Sequence, residues 1–206
     1  MATVTDIGTL KAEIAAYLYD RSDLTAQIPN FIDMAQKRLF RVLQCQENEK
    51  LASGTLPANE YALPADYKAL RYILVNDKPM ESVSDIELRS RLKNQPGNGE
   101  PSAFSRIDTK WIFHPPPDDT YDINLYYYAD LSSDVTSDVA TNAVLTAYPD
   151  LYVWGSLLMA APYLNEDNRI GTWKALYDDT LQTINERTFD QEYSGSNISV
   201  RNAYGD

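Results

Sequence analysis

Cysteine and histidine are nearly absent from this chain: Cys45 and His114 are the only ones among 206 residues. A lone thiol excludes an internal disulfide and suits folding in a reducing cytosol. A lone imidazole excludes a histidine triad or a zinc site built on two histidines. Basic residues are also scarce, 18 against 30 acidic ones, and the net charge of -12 argues against a salt-dependent grip on DNA or on an anionic membrane. Glycine is sparse, at eight residues, and no Gly-rich phosphate loop, Walker signature or dinucleotide fingerprint occurs. Pro96-Gly97-Asn98-Gly99 reads as a turn. The N-terminal Met-Ala-Thr-Val-Thr-Asp lacks the basic flank and apolar stretch of a signal peptide, so the protein is expected to fold where it is translated. No internal repeat or long low-complexity tract is present, and with 44% hydrophobic residues the chain can bury a sizeable core.

The most informative stretch runs from Thr141 to Leu164. Pro149 suits a first helical position, where its missing N–H costs nothing, and Asp150 lies at the positive end of the helix dipole. Leu151, Tyr152, Val153, Trp154, Leu157, Leu158 and Met159 then cover the whole circumference, the mark of a central, buried helix. It is too short to span a bilayer, being bounded by Asp150 and by Asn165-Glu166-Asp167.

Around this helix the pattern is α+β. Ile7, Leu10, Ile14, Tyr17 and Leu18 predict an amphipathic helix capped by Thr5 or Asp6. After a break at Arg21–Thr25, a second helix starts near Ile28-Pro29. Ile28, Ile32, Ala35, Leu39, Val42 and Leu43 form its expected buried stripe, with Gln36, Lys37 and Arg41 turned the other way, and the two helices read as a hairpin. From Leu51 to about Asp134 prolines punctuate the chain and forbid long helices. Tyr67–Val75 reads as a strand turning at Asn76-Asp77-Lys78. Ser84 caps a short helix to Leu92, and Phe104–Ile107 with Lys110–Phe113 forms a second hairpin around Asp108-Thr109. In Tyr121–Tyr128, residues Tyr121, Ile123, Leu125 and Tyr127 share one face, so the middle of the chain is expected to be one small antiparallel sheet. A last helix over Asp167–Asp190 carries Ile170, Trp173, Tyr177, Leu181 and Ile184 as its stripe, opposite Lys174, Asp178, Asp179 and Glu186. The expected organisation is an N-terminal helical hairpin (1–52), a β-rich insertion (53–134), C-terminal helices (135–190) and an extended tail (191–206), a polar segment that cannot offset the entropy of ordering itself alone.

Catalytic signals are thin. His114 ends a strand beside three prolines, where a structural or exposed role outweighs that of a general base, and Cys45 reads as a core thiol. Asp118-Asp119, Glu166-Asp167 and Asp178-Asp179 supply carboxylates for a glycosidase pair, but thirty acids make chance pairs common. No catalytic residue, cofactor or metal ligand is therefore assigned. Lys37, Arg38 and Arg41 form the sharpest basic cluster, which suits a solvated face with ion pairs better than a phosphate site. Fifteen tyrosines suit broad contact areas, and those in the polar tail, Tyr193 and Tyr204, are hard to assign to a core.

Further features occur together in order: Asp20-Arg21-Ser22-Asp23-Leu24-Thr25, Ile28-Pro29-Asn30-Phe31-Ile32, Leu63-Pro64-Ala65-Asp66-Tyr67, Gly99-Glu100-Pro101 and Tyr126-Tyr127-Tyr128. Thr141-Asn142, Pro149-Asp150-Leu151-Tyr152, Gly155-Ser156-Leu157-Leu158, Ala160-Ala161-Pro162-Tyr163-Leu164, Trp173 and Leu176-Tyr177 follow. On these residues the chain resembles, over nearly its whole length, the head-to-tail adaptor (connector) proteins of short-tailed bacteriophages. The resemblance implies an antiparallel helical bundle with an inserted small antiparallel β-sheet subdomain and an extended C-terminal tail. It also implies a dodecameric ring on the portal in the neck of the virion, assembled in the host cytoplasm, with downstream tail or nozzle proteins below and no membrane partner. DNA would pass through the channel without specific binding, repelled by acidic walls. The tail, about 16 residues at roughly 3.3 Å each, reaches about 50 Å when extended. Tyr193, Ile198, Val200, Arg201 and Tyr204 are its expected contacts with portal or neighbouring subunit, disordered in the monomer and ordered on assembly. A virion-associated cell-wall glycosidase and a monomeric protein-binding module are the rival readings.

Overall fold

Helices at both ends of the chain flank a run of strands. The computed structural model describes residues 3–134, 137–164 and 167–193. In chain order come α1 (Ile7–Tyr17), α2 (Ser22–Thr25), α3 (Ile28–Leu39), β1 (Glu49–Leu56), β2 (Glu60–Ala62) and β3 (Tyr67–Val75). They are followed by β4 (Lys78–Pro79), β5 (Glu81–Ser82), α4 (Asp85–Asn94), β6 (Ala103–Ile107), β7 (Lys110–His114) and β8 (Tyr121–Ala129). The chain then returns to helix in α5 (Ala143–Ala147), α6 (Pro149–Ala160) and α7 (Ile170–Tyr193). The class is α+β, as expected. The chain divides into a helical unit, residues 1–39, 44–46 and 137–206, and a strand-rich unit, residues 40–43 and 47–136.

In the helical unit, Asp6 caps α1 through a reciprocal box: its carboxylate accepts from the Thr9 N–H at 2.8 Å, and the Thr9 hydroxyl accepts from the Asp6 N–H at 3.1 Å. Ile7, Leu10 and Ile14 are buried along one side. The segment read as a break holds the short helix α2, with Leu24 buried. Two expectations for α3 fail. The helix ends at Leu39, which leaves Val42 64% exposed, and Gln36 is buried. Gln36 stands four residues after Ile32 and three before Leu39, so helical geometry places it within the apolar stripe whatever its polarity.

α6 opens on Pro149 at its first turn and is buried from Leu151 through Leu157 and again at Ala160. It packs on α1, α3, α5 and α7. Trp154 meets the Tyr17 ring edge-on, with centroids 5.3 Å apart. Gly155 permits the closest approach: a Cβ there would lie 3.2 Å from the Tyr177 ring and 3.5 Å from the Ala35 Cβ. α5 is capped by Asn142, whose amide also donates to the buried Tyr152 hydroxyl at 2.9 Å. Ahead of α7, Arg169 pairs with Asp167 at 2.6 Å, donates to the Tyr17 carbonyl at 2.9 Å and lies over the rings of Tyr19 and Trp173. One guanidinium thus joins the end of α1 to the start of α7. Trp173, Tyr177 and Ile184 are the buried face of α7.

In the strand-rich unit the expected single antiparallel sheet is two four-stranded sheets, ordered β1-β8-β3-β4 and β2-β7-β6-β5. The pairing of β5 with β6 is parallel, against expectation, because α4 lies between them in the chain and carries it back. The turn from β3 to β4 uses Asn76 and Asp77, both with positive φ, as a two-residue hairpin with the twist of its strands requires. Ser84 caps α4 as expected. Ile73, Val75, Phe104, Trp111, Phe113, Ile123 and Leu125 are buried in this unit.

Candidate interaction surfaces

Few of the reactive side chains sit where chemistry needs them. His114 is buried at the end of β7, and among the described residues its Nδ1 has no hydrogen-bond partner. Burial, and then the charge of Arg91, pushes its pKa below the ordinary value. The unfolded chain therefore takes up a proton before the folded one does as pH falls. The stability supplied by the neutral ring is complete above about pH 6.5 and is lost as pH drops toward the folded value. Urea midpoints of the native chain are expected to fall between pH 7.5 and 5.5, and His114→Asn to flatten that slope. An equal fall in the variant would assign the effect to other groups.

Cys45 is fully buried. The carboxylates Asp6, Asp23, Asp66, Glu81, Glu100 and Asp167 are all held below their usual range. In Asp66 burial pushes the pKa up, but hydrogen bonds from Lys50 at 2.7 Å and from the Tyr127 hydroxyl at 2.9 Å outweigh it. These groups are anions anchored by partners, whereas a glycosidase needs one carboxyl kept protonated. Asp118 accepts from the Tyr121 hydroxyl at 2.6 Å, which pushes that phenol up to about 12, and Asp178 pairs with Lys174. Among the described residues, no cluster of His, Cys, Asp and Glu could hold a metal ion, and no helix is long and apolar enough to cross a membrane.

The basic cluster does not share one helical face. Lys37 pairs with Asp33 at 2.8 Å, Arg38 is exposed, and Arg41 follows the end of α3. The exposed apolar surface lies elsewhere. Tyr126 of β8 stands opposite Leu51 of β1 and Tyr72 of β3, and the two tyrosines stack at 4.4 Å. Leu51 is 54% and Tyr72 41% exposed, so an apolar row crosses three strands on the open side of the sheet. In the alternation of β8, Ile123, Leu125 and Tyr127 mark the buried face, and Tyr126 belongs to the opposite one. On the helical unit, Val4, Pro149, Val153 and Trp154, with Thr3, Glu13 and Asp150 beside them, line a groove of about 280 Å³. Beyond Ile184, α7 presents exposed side chains that include Phe189 at 62%.

Of the five expected contact residues, Tyr193 is the last residue of α7, and residues 191–193 continue that helix where an extended tail was expected. The Tyr193 side chain and all of Ile198, Val200, Arg201 and Tyr204 lie outside the described residues.

Residues 5–201 match the family model described as SU10 adaptor protein. The chain belongs to the SU10 adaptor protein family. Membership makes this a phage head-to-tail adaptor, a structural component of the virion neck. No curated protein matches it. The exposed apolar surfaces of the adaptor suit a role in contact.

Proposed function

We propose that the adaptor assembles as a ring, most simply of twelve copies, that docks on the portal, extends the DNA channel and carries the downstream tail proteins. The observation that carries this reading is the family match over residues 5–201. A rigid helical unit built around α6 suits lateral packing of subunits, and the net charge of -12 suits a channel that repels DNA and lets the genome slide. The four segments then act as hairpin (1–52), β-rich insertion (53–134), closing helices (135–190) and tail (191–206), with Tyr193, Ile198, Val200, Arg201 and Tyr204 as contacts to portal or neighbouring subunit.

The test is binding of the purified chain to its portal, read by native mass spectrometry. The full chain is expected to add as a ring. A chain truncated after Tyr193 is expected to keep its circular dichroism and lose attachment. Attachment by the truncated chain rejects the tail as the contact, and failure of the full chain to attach rejects portal docking. Release of peptidoglycan fragments by the purified protein would favour the glycosidase instead.

A further inference from the structure

The two sheets have four edge strands, and they are unequal. β2, β4 and β5 are two or three residues long, and β4 contains Pro79, all devices that prevent strand addition. β1 has eight residues, and among the described residues it pairs with β8 alone. Its residues 51–55, Leu-Ala-Ser-Gly-Thr, hold neither charge nor proline. Alternate N–H and C=O groups along it point away from β8, and beyond Glu49 and Lys50 at its start no charge or proline guards them against a further strand. On the open side of this sheet the row formed by Leu51, Tyr126 and Tyr72 stops at β1 with Leu51 half exposed.

One segment of the chain has the chemistry to continue that sheet. Asn197-Ile198-Ser199-Val200-Arg201-Asn202 alternates polar residues with two β-branched ones and contains no proline, the pattern of a half-buried strand. It follows Tyr193 in a terminal segment of thirteen residues that reaches about 43 Å when extended. We propose that residues 197–202 of a second copy add as a strand to the free edge of β1, with Ile198 and Val200 extending the apolar row beyond Leu51. Main-chain hydrogen bonds would give the affinity and the two β-branched side chains the register. The inference rests on the multi-copy reading above, and it makes the tail a tie between neighbours.

Amide hydrogen exchange of β1 tests it. In the full chain, exchange at alternate residues of β1 should slow as protein concentration rises, and Val200→Pro, which removes a strand N–H, should abolish that slowing. A synthetic peptide of residues 194–206 added to full-length Val200→Pro chain at about nine times its Kd should slow the same amides about tenfold, and a Val200→Pro peptide should not. Protection that is independent of protein concentration would overturn the second copy in favour of the chain's own tail. A peptide that leaves β1 unchanged at saturation, or protects another surface, would overturn the site. A full chain that attaches to the portal without protecting β1 sinks this inference alone, whereas protection without attachment sinks portal docking alone.

Discussion

Trp154→Ala is expected to destabilise the helical unit by about 3–5 kcal/mol, the usual range for removing a buried tryptophan. Trp154 lies within the buried stretch of α6 and meets Tyr17 edge-on, so its loss opens a cavity between two helices as well as exposing apolar surface. The urea midpoint should fall by on the order of 1–2 M. Amide exchange should accelerate in α1, α3 and α6, the helices that share this packing. A variant with the native midpoint would show that α6 is not the centre of the unit.

The second large effect belongs to the strands. Trp111 of β7 is 1% exposed and packs edge-on against Tyr67 of β3 at 5.0 Å, bringing together residues of the two sheets. Trp111→Ala is expected to cost about 3–5 kcal/mol, with exchange accelerating in β3, β6, β7 and β8. Trp111→Phe keeps a ring against Tyr67 and should recover most of the loss. If alanine and phenylalanine cost the same, ring packing is not what holds these strands.

How much of this was legible beforehand depends on where each element gets its stability. α6 could be read because its signals are local: Pro149 and Asp150 at the start, then apolar residues on every side. The β3–β4 turn was equally local, since Asn76 and Asp77 tolerate positive φ. β1 was not foreseen because Glu-Lys-Leu-Ala-Ser-Gly-Thr-Leu has little intrinsic strand preference, and it is a strand through pairing with β8 some seventy residues away. The parallel β5 escaped for the same reason, being two residues long and defined by its partner. Gln36 is buried because helical phase outranks residue type, and Val42 is exposed because α3 ends at Leu39, before the stripe reaches it. Of the interaction surface, the tail was singled out by its composition. The row through Tyr126 needed register across three strands, which periodicity within one strand does not contain.

Gly155 sets a limit on how this protein can diversify. Because α6 touches both Ala35 and Tyr177 through the space a side chain would fill, residues at that crossing must change together or not at all. The far end of α7 is more open: from Asn185 to Gln191 every residue but Thr188 is exposed, and Arg187 reaches back to the Tyr148 hydroxyl at 3.1 Å. Substitutions in those exposed turns should therefore cost less stability than any at the crossing, where one change demands another.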